Sequence, residues 1–273
     1  VRPLVVKFGG ELIEDRVHLA AAVAGLSAMA ASGTPLVVVH GGGREIDAAL
    51  KTAGIEKRQV EGLRITDQPT LDVVVSVLAG AVNTRLVAAL NTAGVPAVGL
   101  TGADGSCGLS ALAPSHRTVD GRVVDLGCVG VPDPGADMQL LHTLSAARFV
   151  PVVASIGLGR DGRLFNVNAD TFAGHLAARL GARRLIIAGT TPGVLDADGA
   201  TVPQLNADAV TRLVSDGTAT AGMIAKLRAC EHALAGGVDD VVIVDGRDLT
   251  ALEGAASGNA PASATRLVRM VTA

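Results

Sequence analysis

Tryptophan and tyrosine are absent from these 273 residues, and only four phenylalanines bring the aromatic content to 1%. Recognition of nucleic acid by base stacking needs an aromatic platform, and scattered phenylalanines do not make one. The core must be packed from Val, Leu, Ile and Ala within a composition that is 49% hydrophobic. Positive charge is not in excess either. The 23 Lys and Arg against 26 Asp and Glu leave a net charge of −3 and a pI near 6.1, which removes the electrostatic case for nucleic acid or an anionic membrane as partner. The three cysteines, Cys107, Cys128 and Cys230, are an odd number without C-x-x-C pairing. They exclude a disulfide framework and favour reduced thiols in a cytosol. The six histidines (18, 40, 116, 142, 175 and 232) lack ligand-like clustering, so no metal site is expected. No G-x-x-x-x-G-K-[ST] or G-x-S-x-G occurs, which excludes a P-loop and a hydrolase nucleophile elbow. The N-terminus lacks the order of a signal peptide, and the alanine-rich stretch Leu19 to Ala31 falls short of the about 20 apolar residues of a spanning helix. A cytoplasmic protein is expected.

What is abundant is glycine, 34 residues, and its placement carries information. Leu4-Val5-Val6 runs into Lys7-Phe8-Gly9-Gly10, and Leu36-Val37-Val38-Val39 runs into His40-Gly41-Gly42-Gly43. Glycines after a buried strand let the backbone approach a ligand and turn N–H groups toward an anion. A helix starting there adds its positive end. Two such turns, with a lysine beside one, point to a polyanion held between loops, phosphate above all.

Short β-branched runs alternate with alanine-rich helical patterns, which predicts an α/β fold: a mostly parallel sheet covered on both faces. Strands are expected at Leu4–Phe8, Leu36–Val39, Ala97–Leu100, Val150–Ala154, Leu185–Ala188 and Val241–Val244, with hairpins at Ala111–Val124 and Ile156–Asn166. No Pro/Ser-rich linker interrupts the chain. A subtle boundary is expected near the helix after Asp170, dividing residues 1–170 from 171–273. The helix expected over Gln68–Thr92 is apolar nearly all round, so it should be buried on two sides, one of them by a partner subunit, with Val74 and Val77 among the outward positions.

Gly157-Leu158-Gly159-Arg160-Asp161-Gly162 matches the dinucleotide fingerprint, but the alternating Arg163-Leu164-Phe165-Asn166-Val167 that follows reads as a strand. The fingerprint requires a helix there, so a hairpin turn is expected. In Asn166-Val167-Asn168-Ala169-Asp170, capping accounts for Asn168 and Asp170 but not Asn166, and both a capping and a functional reading stand. Lys226, one turn into the helix opened by Gly222, is a solvated lysine or a site cation. Arg64 lies before the long helix, where a cation opposes the helix dipole, and so asks for another reason.

Together these segments resemble the amino acid kinase family, its acetylglutamate kinase branch in particular. The matching stretches are Lys7-Phe8-Gly9-Gly10, His40-Gly41-Gly42-Gly43, Gly62-Leu63-Arg64-Ile65-Thr66, Val98 to Gly105, Asp125-Leu126-Gly127, Asn166 to Asp170 and Gly222-Met223-Ile224-Ala225-Lys226, in the family's order along essentially the whole chain. The resemblance implies an αβα sandwich with an N-terminal lobe for the amino acid and dimerisation, and a C-terminal lobe for ATP. It implies ATP-dependent phosphorylation of the γ-carboxylate of N-acetyl-L-glutamate, with Mg²⁺ carried by the nucleotide. Lys7 and Lys226 would contact the transferring phosphoryl group, with Asp170 orienting both. Gly42, Gly43, Arg64, Asn166 and Asn168 would bind the amino acid. Gly9, Gly10, Gly189, Thr190, Gly193, Leu195, Gly222 and Met223 would bind the nucleotide. The chain starts almost at its first strand, as in the short, arginine-insensitive members, so a homodimer is expected.

The chemistry agrees with the residues. A γ-carboxylate is ionised near neutral pH, so no general base is needed to make the nucleophile. The difficulty is bringing an anion to a polyphosphate, which calls for cations and N–H donors. Two departures from the family pattern fall on the ATP side: Ala188-Gly189 where Ser/Thr-Asp is usual, and Ala221 where Asp or Gly is common. They leave room for a catalytically weak regulatory module. A sister kinase of carrier-linked aminoadipate is the nearer rival.

Overall fold

The computed structural model describes residues 1–118, 120–215 and 221–269. Eight strands form the main sheet: β1 (Leu4–Phe8), β2 (Leu36–His40), β3 (Ala97–Thr101), β4 (Val150–Ala154), β5 (Arg184–Gly189), β6 (Gln204–Leu205), β7 (Asp240–Asp245) and β8 (Thr265–Val268). Their spatial order is β6-β8-β7-β5-β1-β2-β4-β3. Every pairing is parallel except β7 with β8. β1 sits in the middle, so strands from residues before 170 build one half and strands after 184 build the other.

The side-chain period of two decides the layers. Leu4, Val6, Phe8, Val38, Val152, Ile186 and Val242 face one core; Val5, Val37, Val39, Val153, Leu185, Ile187 and Val241 face a second. The first is covered by α1 (Gly10–Glu14), α2 (Arg16–Ala31), α3 (Gly43–Thr52), the long helix α4 (Gln68–Thr92) and, from the end of the chain, Leu249–Ser257; the second by α5 (Gln139–Ala146), α6 (Ala169–Arg179), α7 (Ala207–Ser215) and α8 (Ala221–Ala235). This is the expected αβα sandwich. Helix Leu249–Ser257, α9, and the strands β6 and β8 are additions to the sequence reading. All three cysteines are free. Burial, with the Asp104 charge, pushes the Cys107 thiol up to about 12.

A small four-stranded sheet stands beside the main one, in the order Ile156–Leu158, Leu164–Val167, Val129–Pro132, Ser110–Leu112. The Ile156–Asn166 hairpin is present, with Ile156 opposite Asn166 and Gly162 at φ 83°, so the apparent dinucleotide fingerprint is a turn. The expected Ala111–Val124 hairpin is shorter. Only His116–Arg117 pairs with Val123–Val124, while Ser110–Leu112 pairs with Val129–Pro132. Pro114 separates the two runs, and a residue without an N–H cannot continue a ladder.

By length and composition α4 could cross a membrane. Here its Val74, Leu78, Val82, Leu86 and Leu90 lie in the first core. From Val74 onward these are four apart, a spacing that drifts about 40° per step on a 3.6-residue helix. A π-helical segment over Ser76–Val82 absorbs the drift and keeps the row facing inward. Val74 and Val77 are therefore core residues, 0% and 9% exposed, and not outward positions. The half-buried apolar positions on α4 include Val73, Val75 and Ala79, with Val87 and Ala89 further along.

Candidate active site

The parallel register aligns the carboxyl ends of the central strands. Thr101, Ala154, His40, Phe8, Ala188 and Val244 form one row across the sheet. The next residue is glycine after Thr101, His40, Phe8 and Ala188. Ligands of open parallel sheets bind outside the carboxyl ends of the strands, and here that edge is lined with bare backbone. The two glycine turns touch: a Cβ on Gly10 would fall 2.7 Å from Gly42 Cα. Gly43 faces open space and starts α3, whose cap Gly42 offers no side chain. A carboxylate already uses this helix end, since Glu14 Oε1 accepts from the Glu45 N–H at 3.0 Å. Burial is the main reason the Glu14 carboxyl titrates above its ordinary range.

Lys7 lies on β1 between Val5 and Gly9 and so points to the side of α6. There its Nζ is 2.9 Å from Asp170 Oδ1, with both residues 9% exposed. Asp170 sits in the first turn of α6, where the helix dipole favours a carboxylate. Asn168 caps the same helix, its Oδ1 accepting from the N–H groups of Asp170 and Thr171 at 3.0 Å each. Capping thus accounts for the Asn168 carbonyl oxygen.

α8 crosses α6 closely because glycines leave room: a Cβ on Gly174 would lie 2.6 Å from the Ala229 carbonyl oxygen, and one on Gly236 would lie 2.3 Å from Ala178 Cβ. The crossing brings Lys226 to the carboxyl edge. Its Nζ is 3.7 Å from where a Gly189 Cβ would be, and Glu11 Oε1 is 3.6 Å from the same point. Among the described residues Lys226 forms no ion pair with Asp170, so the structure joins Asp170 to Lys7 alone. Buried Cys230, one turn further along α8, feels both groups. After burial, the Asp170 charge is the next influence raising its thiol pKa, and Lys226 opposes it.

The residues around Arg64 converge as well. Arg64 Nη2 donates to Asp47 and, at 3.4 Å, to the Gly43 carbonyl, while its Nη1 is buried without a partner. Asn166 Nδ2 donates to Thr66 Oγ1 at 3.1 Å, and Thr66 Oγ1 donates to the Arg64 carbonyl at 3.2 Å. The Asp125-Leu126-Gly127 segment supports this strand from behind: Leu126 O accepts from the Thr66 N–H, and a Cβ on Gly127 would fall 2.4 Å from the Thr66 carbonyl oxygen. Arg64 is thus linked to Gly43 through its side chain and to Asn166, by way of Thr66, through its backbone. An unsatisfied buried guanidinium nitrogen there is what a carboxylate ligand would complete.

On the other side, Gly189 ends β5 and the Thr190 carbonyl accepts from Arg247 Nη2 at 2.9 Å. Gly193 has a packing reason to be glycine, since a Cβ would meet Thr265 Oγ1 at 2.5 Å. Leu195 is 41% exposed, Gly222 is exposed and Met223 packs against the second core. Glu11, Asp47, Thr66 and Arg247 were not singled out from sequence. Glu11 carried the one available signal, an acid directly after a glycine turn.

With this geometry in view, the relatives are informative. The sequence profile of the Amino acid kinase family matches residues 2–245. The chain belongs to the amino acid kinase family. Among its relatives, the acetylglutamate kinase of Novosphingobium aromaticivorans is 41% identical over 255 residues, 90% of this chain and 84% of that protein. The acetylglutamate kinase of Methylobacterium nodulans is 40% identical over 89% of this chain and 81% of its own length. Among solved structures, N-acetylglutamate synthase from Neisseria gonorrhoeae in complex with coenzyme A and N-acetyl-glutamate superposes with a TM-score of 0.81 at 25% identity, covering 98% of this chain and 59% of that one. Carbamate kinase from Giardia lamblia bound to AMP-PNP, with a TM-score of 0.69 and 15% identity over 98% of each chain, shares the fold. In this amino acid kinase Gly189 is not demanded by sterics, because a Cβ there would meet only ordinary contacts. Its effect is to leave open the space between Glu11 and Lys226.

Proposed function

We propose that this chain transfers the γ-phosphoryl group of ATP to the γ-carboxylate of N-acetyl-L-glutamate, giving N-acetylglutamyl 5-phosphate, the second step of arginine biosynthesis. The observation that carries this reading is the meeting of the Lys7–Asp170 pair, the paired glycine turns and the half-satisfied Arg64 at one sheet edge, in a chain with acetylglutamate kinase relatives at 41% identity. Arg64 and Asn166 hold the α-carboxylate and leave the γ-carboxylate directed at the phosphorus. A carboxylate oxygen forms the new P–O bond while the bond from phosphorus to the ADP oxygen breaks, its electron pair leaving on ADP. No proton moves. Lys7 and Lys226 neutralise the phosphoryl oxygens, and the N–H groups of Gly10, Gly42 and Gly43 add dipoles fixed before the reaction. The Gly9 N–H is held by the Ala188 carbonyl at 3.0 Å, so Gly9 contributes only its bare backbone. Mg²⁺ enters with the nucleotide as part of the substrate; among the described residues no three metal-ligating side chains converge. In this reading residues 1–170 hold the amino acid and 171–273 the nucleotide, in the cytoplasm.

The direct test is ATP turnover with N-acetylglutamate against glutamate, aspartate and aminoadipate. Turnover with N-acetylglutamate well above the others is the expected result. Preference for aminoadipate would move the protein to the sister activity, and turnover of none would make it a binding module. Arg64→Ala is expected to raise the KM for the amino acid by roughly tenfold to a hundredfold, the worth of a charged hydrogen bond, with little change in the KM for ATP. Equal rises in both would remove Arg64 from the amino-acid site.

The same reading includes a homodimer. Val75 on α4 and Leu112, 49% exposed on an edge strand of the small sheet, line a groove of about 420 Å³ that a second copy would fill. Charging this face, as in Val75→Asp, should yield monomers on sizing with the thermal transition retained. Val74→Asp should instead unfold the chain, because Val74 is 0% exposed. A Val75→Asp protein that elutes as a dimer would place the interface elsewhere.

A further inference from the structure

His40 ends β2 and opens the Gly41-Gly42-Gly43 turn, yet it is 0% exposed and cannot touch a ligand. Its Nδ1 is 3.1 Å from the Gly41 carbonyl oxygen and its Nε2 is 3.0 Å from Asn83 Nδ2. The orientation of the Asn83 amide is set independently, because the same Nδ2 donates to the Val152 carbonyl at 2.9 Å. An NH₂ group can only donate. Nε2 of His40 therefore accepts, the ring proton sits on Nδ1, and that N–H donates to the Gly41 carbonyl. Burial, assisted by the nearby Arg85 charge, keeps the ring neutral by lowering its pKa to about 4.

Asn83 reaches this position through a local irregularity. It follows the π-helical segment Ser76–Val82, and its own N–H donates to the Leu78 carbonyl, five residues back. Gly99 on β3 makes the necessary space, since a Cβ there would lie 2.1 Å from Asn83 Oδ1. A polar side chain buried in a Leu/Val row, with a helix irregularity and a glycine accommodating it, is costly to the core unless it serves the turn it supports.

The effect on that turn follows from peptide planarity. In a trans peptide the carbonyl of Gly41 and the N–H of Gly42 point in opposite directions. Holding the Gly41 carbonyl inward on His40 aims the Gly42 N–H outward, beside Gly43 and the open start of α3. We propose that His40 is a positioning residue for the phosphoryl-transfer site: oriented by Asn83, its Nδ1–H fixes the Gly41–Gly42 peptide so that the turn presents its N–H groups to the reacting carboxylate and phosphoryl oxygens. This rests on the reading of the site as that of an acetylglutamate kinase.

Two measurements test it. Long-range ¹H–¹⁵N correlation spectra of the wild-type protein should show His40 as the neutral Nδ1–H tautomer at pH 6 to 8; an Nε2–H tautomer or an imidazolium overturns the proposal. In kinetics, His40→Ala should lower kcat by about 10²-fold, the scale of an ångström-sized misplacement, with the KM for ATP nearly unchanged. His40→Asn keeps a donor near the Nδ1 position and should recover most of that loss. A role confined to stability would lower the Tm of both variants and leave kcat intact, and that result overturns the proposal. Should His40→Ala fail to fold, Asn83→Ala carries the same test: it frees the tautomer and should lower kcat, and an unchanged kcat counts against the proposal. A wild-type protein inactive on N-acetylglutamate would defeat the functional reading, whereas an active wild type with an unimpaired His40→Ala variant defeats this inference alone.

Discussion

Lys7→Ala is expected to lower kcat by about 10²–10³-fold, the cost of removing one donor to developing charge in a water-excluded site, while binding of both substrates weakens far less. The physical reason is that the lysine charge counts most where negative charge gathers, on the phosphoryl oxygens of the transition state. The structure adds a complication and a way around it. Lys7 pairs with Asp170 at 2.9 Å, both side chains nearly buried, so Lys7→Ala also strands a carboxylate and should lower stability. Asp170→Asn keeps the shape, releases Lys7 from its partner and should slow turnover as well. In the double variant, stability should return toward that of Asp170→Asn alone, while the rate stays low and the two rate losses are less than additive. Lys226→Ala should reduce kcat by a similar factor with a small change in Tm, because Lys226 has no ion-pair partner among the described residues. Steady-state kinetics with thermal melts on the four proteins decide this. A Lys7→Ala enzyme with near-normal turnover ends the proposed mechanism.

The largest expected effect on stability lies at the opposite edge of the sheet. Asp240, 1% exposed at the start of β7, accepts from Arg184 Nε at 2.6 Å and Nη2 at 2.8 Å, and from Arg266 Nε at 2.7 Å. Arg184 also donates to the Ala255 carbonyl in α9 at 2.7 Å. One carboxylate thus joins β5, β7, the antiparallel strand β8 and a covering helix. Burial alone would push the Asp240 carboxyl up, but its hydrogen bonds and ion pairs with Arg184 and Arg266 prevail and hold it below the usual range. Asp240→Ala leaves the Arg184 guanidinium buried without its partner, which typically costs about 3–5 kcal/mol. Urea unfolding should show the midpoint falling with the slope preserved. Residual turnover of the folded fraction should match the wild type, since the pair lies at the amino ends of strands whose carboxyl ends form the site. A loss below about 1 kcal/mol would mean that the triad is dispensable, as some buried ion networks are.

Much of this protein was determined by short-range pattern. Alternating Val, Leu and Ile runs set the central strands, because residues two apart must share a face and both faces needed covering. Glycines placed directly after Phe8 and His40 announced two bare turns at the carboxyl ends of neighbouring strands, since a residue without a side chain lets the two backbones approach as closely as Gly10 and Gly42 do. The hairpin in place of a dinucleotide turn was legible because strand alternation follows Gly162 where a helix would be required. Other features depended on what lies across space. Asp170 could be read as a cap or a counter-ion, and only the register of β1 against α6 gave it Lys7 as partner. The same packing assigned Asn168 to the cap and left Lys226 apart, beside Gly189 and Glu11. Val74 and Val77 read as outward on a regular helix, but the π-helical segment after Val75 keeps the row that starts at Val74 in the core and buries Val77 beside it. Strand β8 joins β7 antiparallel, and Asp240 ties the two strands to β5 through arginines that are 56 and 26 positions away in sequence. The sequence determined which residues could be buried and which turns could open. The tertiary structure decided which charges meet, because ion pairs and aimed peptides depend on distances between elements that no local pattern encodes.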